Sequence, residues 1–269
     1  MKICIIWGWY DYLPIIPVLN QYKHTYMFVH DTALWPLTEK SEQYITERLT
    51  QIMNHMLKKY AIDSFLLPPF LEYCAPRSQK NICSYYQDFF HQALRKARIG
   101  KVWVMTTHPN KMVIQSFIET LLQDYTLTPQ QQRTKKFHTP CNLWIKECRF
   151  IPVFVPLMAK SDWMVRKKIK NYLSFFKDAD VDLLVPYSWE ILYYEKVITH
   201  MLSSRMCFAG LELFRWVLES RLKENQDNHY HTTVLWFDRP RWLSEKKRQL
   251  PLSKWWACEI TFLKDQFFQ

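Results

Sequence analysis

Glycine is nearly absent from this sequence, since only Gly8, Gly100 and Gly210 occur in 269 residues. Average usage of about 7% would give roughly 19 glycines in a chain of this length. Phosphate-binding loops and dinucleotide-binding fingerprints need several glycines close together, because the backbone must approach the ligand closely. The sequence therefore excludes both kinds of glycine-rich site.

Cysteine pairs with metal-binding or redox spacing are also missing. The seven cysteines show no Cys-x-x-Cys spacing and their number is odd. A chain this rich in apolar residues does not need disulfides to fold. No apolar run approaches the ~20 residues of a membrane span, and no signal peptide is evident. We therefore expect a cytoplasmic protein with reduced thiols, no metal and no membrane contact.

Positive charge is abundant but dispersed. The formal net charge is +11, and the denser basic patches are residues 166–168 with Lys170 and residues 246–248. A basic balance favours acidic partners in general. We interpret each patch as a solvated helix face, so nucleic acid is an unlikely partner, and a basic nucleic-acid-binding protein is the third functional alternative.

Short apolar strands alternate with amphipathic helices along the chain, which predicts a three-layer α/β protein with mainly parallel sheets. A polar stretch at 128–136 is expected to be an exposed linker. The predicted strands are 2–7, 26–29, 63–67, 101–105, 151–155, 182–185 and 232–237. One long helix is predicted to begin after Ser41. The other main predicted helices span 89–97, 112–122, 163–176, 189–201 and 208–223.

One loop organises the functional interpretation. Residues 31–33 read Asp-Thr-Ala, Pro36 follows, and residues 40–41 read Lys-Ser. This loop lies between a predicted strand and a predicted helix, where open α/β sheets place their binding loops. Asp31 and Thr32 are available there to a ligand, or they make local turn bonds alone.

The same loop resembles that of the glutamate racemases, in which Asp-Thr-Ala, Pro and Lys-Ser stand in this register. Other landmarks follow in the family's order, most clearly residues 151–157, which read Ile-Pro-Val-Phe-Val-Pro-Leu, and residues 233–242 near the C-terminus. The chain therefore resembles the aspartate/glutamate racemase family over nearly its whole length.

The resemblance implies two similar α/β domains with the substrate in a cleft between them. Family members racemise glutamate for peptidoglycan synthesis without a cofactor, and they often form homodimers. The expected segments are a first α/β half at 1–97, a second half at 98–205, and a C-terminal segment at 206–269 that returns to the first half.

The catalytic motifs depart from the family pattern. Racemisation needs one thiol on each face of the substrate carbon, to remove and return the α-proton. The two family cysteines align with Pro69 and Ser188, so neither is intact. Cys74 lies five residues past Pro69, and we expect it to be a buried core residue.

Several other residues align with the family's ligand cleft, and aromatic side chains would narrow it. In the alternative interpretation, those aromatic side chains pack in the core, and Glu190 is only a solvated carboxylate at a helix N-terminus. The candidate cleft residues are Trp7, Gly8, Asp31, Thr32, Phe70, Ser188, Trp189 and Glu190.

We therefore expect a non-racemising protein of this family that binds a small ligand or a protein partner. An acidic amino acid or a related carboxylate is the expected ligand, and a homodimer is compatible with the resemblance. The alternative is an active amino-acid racemase whose catalytic groups have moved to Asp31, Ser188, Glu190 or His108.

Overall fold

The computed structural model describes about two thirds of the chain. For Trp7, Thr38, Asn142, Trp144, Lys146, Glu147 and the last two strands it describes the backbone alone. The described residues are 1–7, 14–19, 21–22, 24–31, 33–34, 37–76, 78–107, 110–133, 142–147, 163, 167, 170–171, 181–202, 206–222, 232–237 and 258–263.

The backbone forms two compact units. Unit 1 consists of Met1–Tyr12, Ile16–Ser84 and Lys223–Gln269, and unit 2 of Leu13–Ile15 and Tyr85–Leu222. Apart from the short segment 13–15, the chain passes into unit 2 after residue 84 and returns to unit 1 after residue 222, whereas we expected boundaries after 97 and 205. The difference arises because the helix that follows Tyr85 packs its aromatic face within unit 2.

Unit 1 contains a five-stranded sheet in which every pairing is parallel, with the order β3-β1-β2-β8-β9. The first two strands along the chain contain continuous apolar runs at residues 3–7 and 26–29, as strands covered on both faces require. The strands are β1 (Lys2–Trp7), β2 (Thr25–Asp31), β3 (Ser64–Leu66), β8 (Thr232–Phe237) and β9 (Cys258–Leu263).

The described helices of unit 1 are α1 (Ile16–Leu19), α2 (Glu42–Tyr60) and α3 (Pro69–Cys74), with a 3-10 turn at Leu37–Glu39. The predicted N-cap of α2 is confirmed, because the Ser41 Oγ accepts a hydrogen bond from the Tyr44 N–H. The helix ends at Tyr60, and its C-cap Ala61 adopts the left-handed conformation with φ 50°.

Unit 2 contains a four-stranded sheet that is also entirely parallel, with the order β5-β4-β6-β7. The strands are β4 (Lys101–Thr106), β5 (Asn142–Glu147), β6 (Leu183–Pro186) and β7 (Cys207–Phe208). The described helices are α4 (Tyr86–Leu94), α5 (Lys111–Gln123), α6 (Pro129–Arg133), α7 (Trp189–Leu192), α8 (Glu195–Met201) and α9 (Leu211–Arg221).

Two of the predicted elements are wrong. Residues 129–133 of the expected linker form α6, whose buried Gln131 donates from its amide to the Leu94 carbonyl at 2.8 Å. The single helix expected over 189–201 is divided into α7 and α8, because Tyr194 leaves helical geometry with ψ 10°.

The predicted α/β class with parallel sheets is confirmed. Three strands, β5, β7 and β9, were not predicted, and Phe208 of β7 lies in the stretch expected to start a helix. The strand expected at 151–155 lies outside the described residues. Of the helix expected at 163–176, the four described residues are each helical. Within the part of the chain that the structure describes, no helix is both long and apolar enough to cross a bilayer.

Candidate functional site

Several of the described candidate residues lie at or shortly after strand ends, at the carboxyl edges of the two sheets. In unit 1, Asp31 ends β2, and Pro69 follows β3 by three residues. In unit 2, Ser188 follows β6 by two residues, and Thr107 comes directly after the neighbouring β4. Parallel α/β sheets place ligands at this edge. Each unit has its own group of such residues.

Asp31 is engaged in a buried ion pair. Its carboxylate accepts hydrogen bonds from Nε and Nη2 of Arg48, the latter at 3.1 Å, and both side chains are at most 2% exposed. The same carboxylate accepts the Ala33 N–H at 3.0 Å. Asp31 thus fixes the loop after β2 against α2, which agrees with the interpretation that it makes local bonds.

Pro69, which aligns with the first family cysteine, is the first residue of α3. Proline suits this position because the first helical N–H has no intrahelical partner. Phe70 is buried with its ring centroid 6.4 Å from that of Tyr73, and Leu71 is fully buried. This helix start therefore consists of buried apolar residues.

The thiol nearest to Pro69 in sequence is a core residue, as expected. Cys74 is buried at the end of α3, and burial, assisted by the nearby Glu42 carboxylate, raises the pKa of its thiol to about 12. Cys4 and Cys83 in the same unit are also buried. Burial raises the pKa of the Cys4 thiol as well. These three thiols are therefore inert at neutral pH.

Ser188, which aligns with the second family cysteine, joins the ends of two adjacent strands in unit 2. Its Oγ accepts the Thr107 backbone N–H at 3.0 Å and lies 3.5 Å from the Thr106 Oγ1. Because that hydrogen bond occupies an acceptor site, the Ser188 O–H can still donate to a ligand or to Thr106.

Glu190 does not behave as a solvated carboxylate. It is partly buried in the first turn of α7, and its Oε1 accepts a hydrogen bond from the Thr107 hydroxyl at 3.4 Å. Burial raises the pKa of this carboxyl to about 7, against the opposing effect of its hydrogen bonds to its own backbone and to Thr107. Thr107 therefore links Ser188 and Glu190 through its N–H and its hydroxyl.

Trp189 packs in the core of unit 2. Its indole N–H donates to the Tyr85 hydroxyl at 2.6 Å, and its ring meets Phe214 edge-on at 6.4 Å between centroids. The interpretation of this aromatic as core is the one that the contacts favour. Gly8, Thr32 and His108 lie outside the described residues, as does the side chain of Trp7.

Sequence reasoning did not single out Arg48 or Thr107. Arg48 carried a signal, since it lies on the apolar face of α2 between Ile45 and Ile52, where an unpaired charge is costly. Thr107 follows a predicted strand, but nothing in the sequence shows that this strand neighbours β6. Among the described residues, no three His, Cys, Asp or Glu side chains are grouped to hold a metal ion.

Two parallel α/β sheets with polar groups at their carboxyl edges define the general class of fold, and comparison with solved structures identifies it further. The chain is similar to glutamate racemase isoform RacE1 from Bacillus anthracis, with TM-score 0.69 and 13% identity over 98% of this chain and 97% of that one. Glutamate racemase from Thermus thermophilus, in complex with β-chloro-D-alanine, gives TM-score 0.64 and 17% identity over 98% and 96%.

Glutamate racemase from Francisella tularensis, in complex with D-glutamate, gives TM-score 0.64 and 11% identity over 99% of each chain. No family model matches the sequence, and no curated protein is detectably similar to it. The protein therefore has a glutamate racemase-like fold, which confirms the expected resemblance at the level of the fold.

Proposed function

We propose that this protein is a non-racemising protein with a glutamate racemase-like fold, and that it binds a small carboxylate at the carboxyl edge of the unit 2 sheet. The observation that carries the proposal is the pair of residues at the expected cysteine positions, Pro69 and Ser188. A role in peptidoglycan synthesis, which the resemblance implies, depends on racemisation and is not part of this proposal.

The first position cannot move a proton. Pro69 has no side-chain acid or base, and its neighbours Phe70 and Leu71 are buried hydrophobic residues. With a thiol pKa of about 12, Cys74 is not a substitute base, because its thiolate fraction at pH 7 is on the order of 10⁻⁵.

The second position keeps the size of a cysteine but loses its acidity. A serine hydroxyl needs an adjacent general base to become reactive. The described hydrogen-bond partners of the Ser188 Oγ are the Thr107 N–H and the Thr106 hydroxyl, and neither is a base. Ser188 is therefore suited to binding a carboxylate and not to removing an α-proton.

The unit 2 edge offers a hydroxyl group to such a ligand. The partly exposed Ser188 hydroxyl lies beside the buried Thr106 hydroxyl, where β4 and β6 end. A neighbour of the same fold was solved with D-glutamate, which makes an acidic amino acid the first ligand to test. Hydroxyl groups at strand ends are a recurrent way to orient a small polar ligand.

Calorimetric titration with L-glutamate, D-glutamate and glutarate tests the binding. We expect saturable binding that Ser188→Ala weakens by about tenfold, a loss of about 1.4 kcal/mol. Ser116→Ala, at an exposed position of α5, is the matched control and should leave the affinity unchanged. No saturable binding of any of the three would contradict the proposal and favour a protein partner or a second copy of the chain.

An active racemase with moved catalytic groups is the second candidate, and one observation favours it. A carboxyl with a pKa of about 7, such as Glu190, is suited to general acid–base catalysis at neutral pH. Circular dichroism of either glutamate enantiomer distinguishes the candidates. Racemisation that is lost in Glu190→Gln would establish the second one.

A further inference from the structure

A basic cavity lies in unit 2, and the proposed carboxylate site does not include its residues. Its volume is about 570 Å³. Pockets for small molecules are commonly about 300–1,000 Å³. The residues that line it are Trp163, Lys167, Lys170, Asn171, Lys196, Val197 and His200.

The lining residues are distant from each other in sequence. Trp163, Lys167, Lys170 and Asn171 are each in helical conformation. Lys196 and His200 lie one helical turn apart on α8, with Val197 beside them. The fold therefore brings these two groups of side chains to the same cavity.

The charged side chains that line the cavity are basic. Three of its lining residues are lysines, and none of the described lining residues is acidic. The adjacent carboxylate of Glu195 is engaged elsewhere, because it accepts the Leu211 N–H at 3.0 Å. Several like charges around one cavity repel each other, and a multiply charged anion relieves that repulsion.

The cavity also has an exposed aromatic surface. Trp163 is 66% exposed, and the Lys167 ammonium lies 5.0 Å from the centroid of its indole ring. A large aromatic side chain left in contact with solvent beside cations offers both an apolar contact and an oriented positive charge to one ligand.

We propose that this cavity is a binding site for a small organic phosphate. The phosphate lies among the ammonium groups of Lys167, Lys170 and Lys196, and the apolar part of the ligand contacts Trp163 and Val197. Lysine binds phosphate as a point charge and needs no glycine-rich loop, so the site is consistent with the scarcity of glycine. Two charges on the phosphate favour it over a carboxylate, which carries one.

Phenyl phosphate is the probe, because it joins a doubly charged group to a single ring. Inorganic phosphate and benzoate test its two parts separately, and binding is followed by calorimetry on the full chain. We expect phenyl phosphate to bind at least about tenfold more tightly than either comparator. Equal affinity for all three probes, or no binding of phenyl phosphate, would overturn the proposal.

Variants then locate the site. Lys167→Ala with Lys170→Ala should weaken phenyl phosphate at least about tenfold, whereas Trp163→Ala should weaken phenyl phosphate but not inorganic phosphate. Lys80→Ala with Lys96→Ala removes the same charge at exposed positions outside the cavity and should change nothing. An equal loss of phenyl phosphate affinity in this control would show a general charge effect and would overturn the proposal.

A short single-stranded RNA tests the competing macromolecular ligand. If the RNA bound more tightly than phenyl phosphate, with a steep salt dependence and sensitivity to the same cavity lysines, the cavity would be a nucleic-acid contact. That result would overturn the organic-phosphate assignment. RNA binding that the cavity variants leave unchanged, together with the expected phenyl phosphate results, would support it.

Discussion

The backbone N–H of Thr107 donates a 3.0 Å hydrogen bond to the Oγ of Ser188, and this contact joins the ends of β4 and β6. The two strands are already paired in register, since Met105 lies opposite Pro186 and accepts the Tyr187 N–H at 2.7 Å. The serine thus continues the sheet contact beyond the last strand residue. The Ser188 side chain therefore has a structural role in unit 2.

Removing the Ser188 hydroxyl should lower the stability of unit 2. Ser188→Ala leaves the Thr107 N–H without that acceptor, and we expect the free energy of unfolding to fall by about 1 kcal/mol. Urea denaturation measures the change. Ser116→Ala serves as the control on an exposed helix surface and should stay within about 0.5 kcal/mol of the wild type. Equal stability of Ser188→Ala and the control would refute the structural role.

The Asp31–Arg48 pair in unit 1 should be strongly coupled. Asp31→Asn or Arg48→Met leaves one buried charge uncompensated, so each should cost about 3–5 kcal/mol of stability. The double variant should cost clearly less than the sum of the two, because no charge remains. Additive losses in a urea-unfolding cycle would show that the two side chains do not form a pair.

An exposed ion pair in unit 2 provides the comparison. Arg221 donates from Nε to the Asp88 carboxylate at 2.7 Å, and the two side chains are 45% and 38% exposed. Solvent screens this pair, so Asp88→Asn should cost less than about 1 kcal/mol. A similar cost at Asp31 and Asp88 would contradict the assignment of the Asp31 pair as buried.

Glu190 should make stability depend on pH near neutrality. Its folded-state pKa of about 7 exceeds the ordinary 4.5, so the folded state binds this proton more tightly than the unfolded state. The contribution is therefore present at acidic pH and is lost as the pH rises from 4.5 through about 7. Glu190→Gln should remove that part of the pH profile.

Carbon-13 NMR titration of the glutamate carboxyls checks the same prediction independently of unfolding. One resonance, absent from Glu190→Gln, should titrate near neutral pH. Glu119→Gln, at an exposed site on α5, is the control and should leave that resonance in place. A Glu190 resonance that titrates near 4.5 would show that this carboxyl is solvated.

Gly210 is constrained by space and not by its backbone angles. A methyl group there would overlap the Glu195 carboxylate, which accepts the first N–H of α9 from Leu211 at 3.0 Å. Gly210→Ala should therefore displace this cap and cost about 1 kcal/mol of stability. In a Glu195→Ala background the same substitution should cost much less. An equal cost in both backgrounds, measured by thermal unfolding, would refute this explanation.

The elements that the sequence predicted accurately have strong local signals. β1 from Ile3 onward and the whole of β8 are continuous runs of apolar and β-branched residues, and both strands were predicted with the observed bounds. The start of α2 was predicted because Ser41 precedes a regular apolar stripe. By contrast, β5 and β9 mix Lys, Glu or Thr with apolar residues and lack a continuous apolar run.

The site was harder to predict because its chemistry depends on neighbours distant in sequence. Asp31 and Ser188 were correctly chosen as strand-end residues, but their partners Arg48 and Thr107 are set by tertiary packing. The raised pKa of Glu190 likewise results from burial, which the residues on either side of it do not reveal. The cavity lysines formed a recognised basic patch, but Lys196 and His200 join it through the fold.

Exchange of the α-proton of glutamate into deuterated water tests whether the protein is non-racemising, because exchange reports proton removal even when no product is released. Proton NMR of L- and D-glutamate follows it, and a glutamate racemase is the positive control for detection. We expect no exchange of either enantiomer above the rate without protein. Exchange that is abolished by Ser188→Ala or Cys74→Ala would contradict this expectation and show that the chain has a working catalytic group.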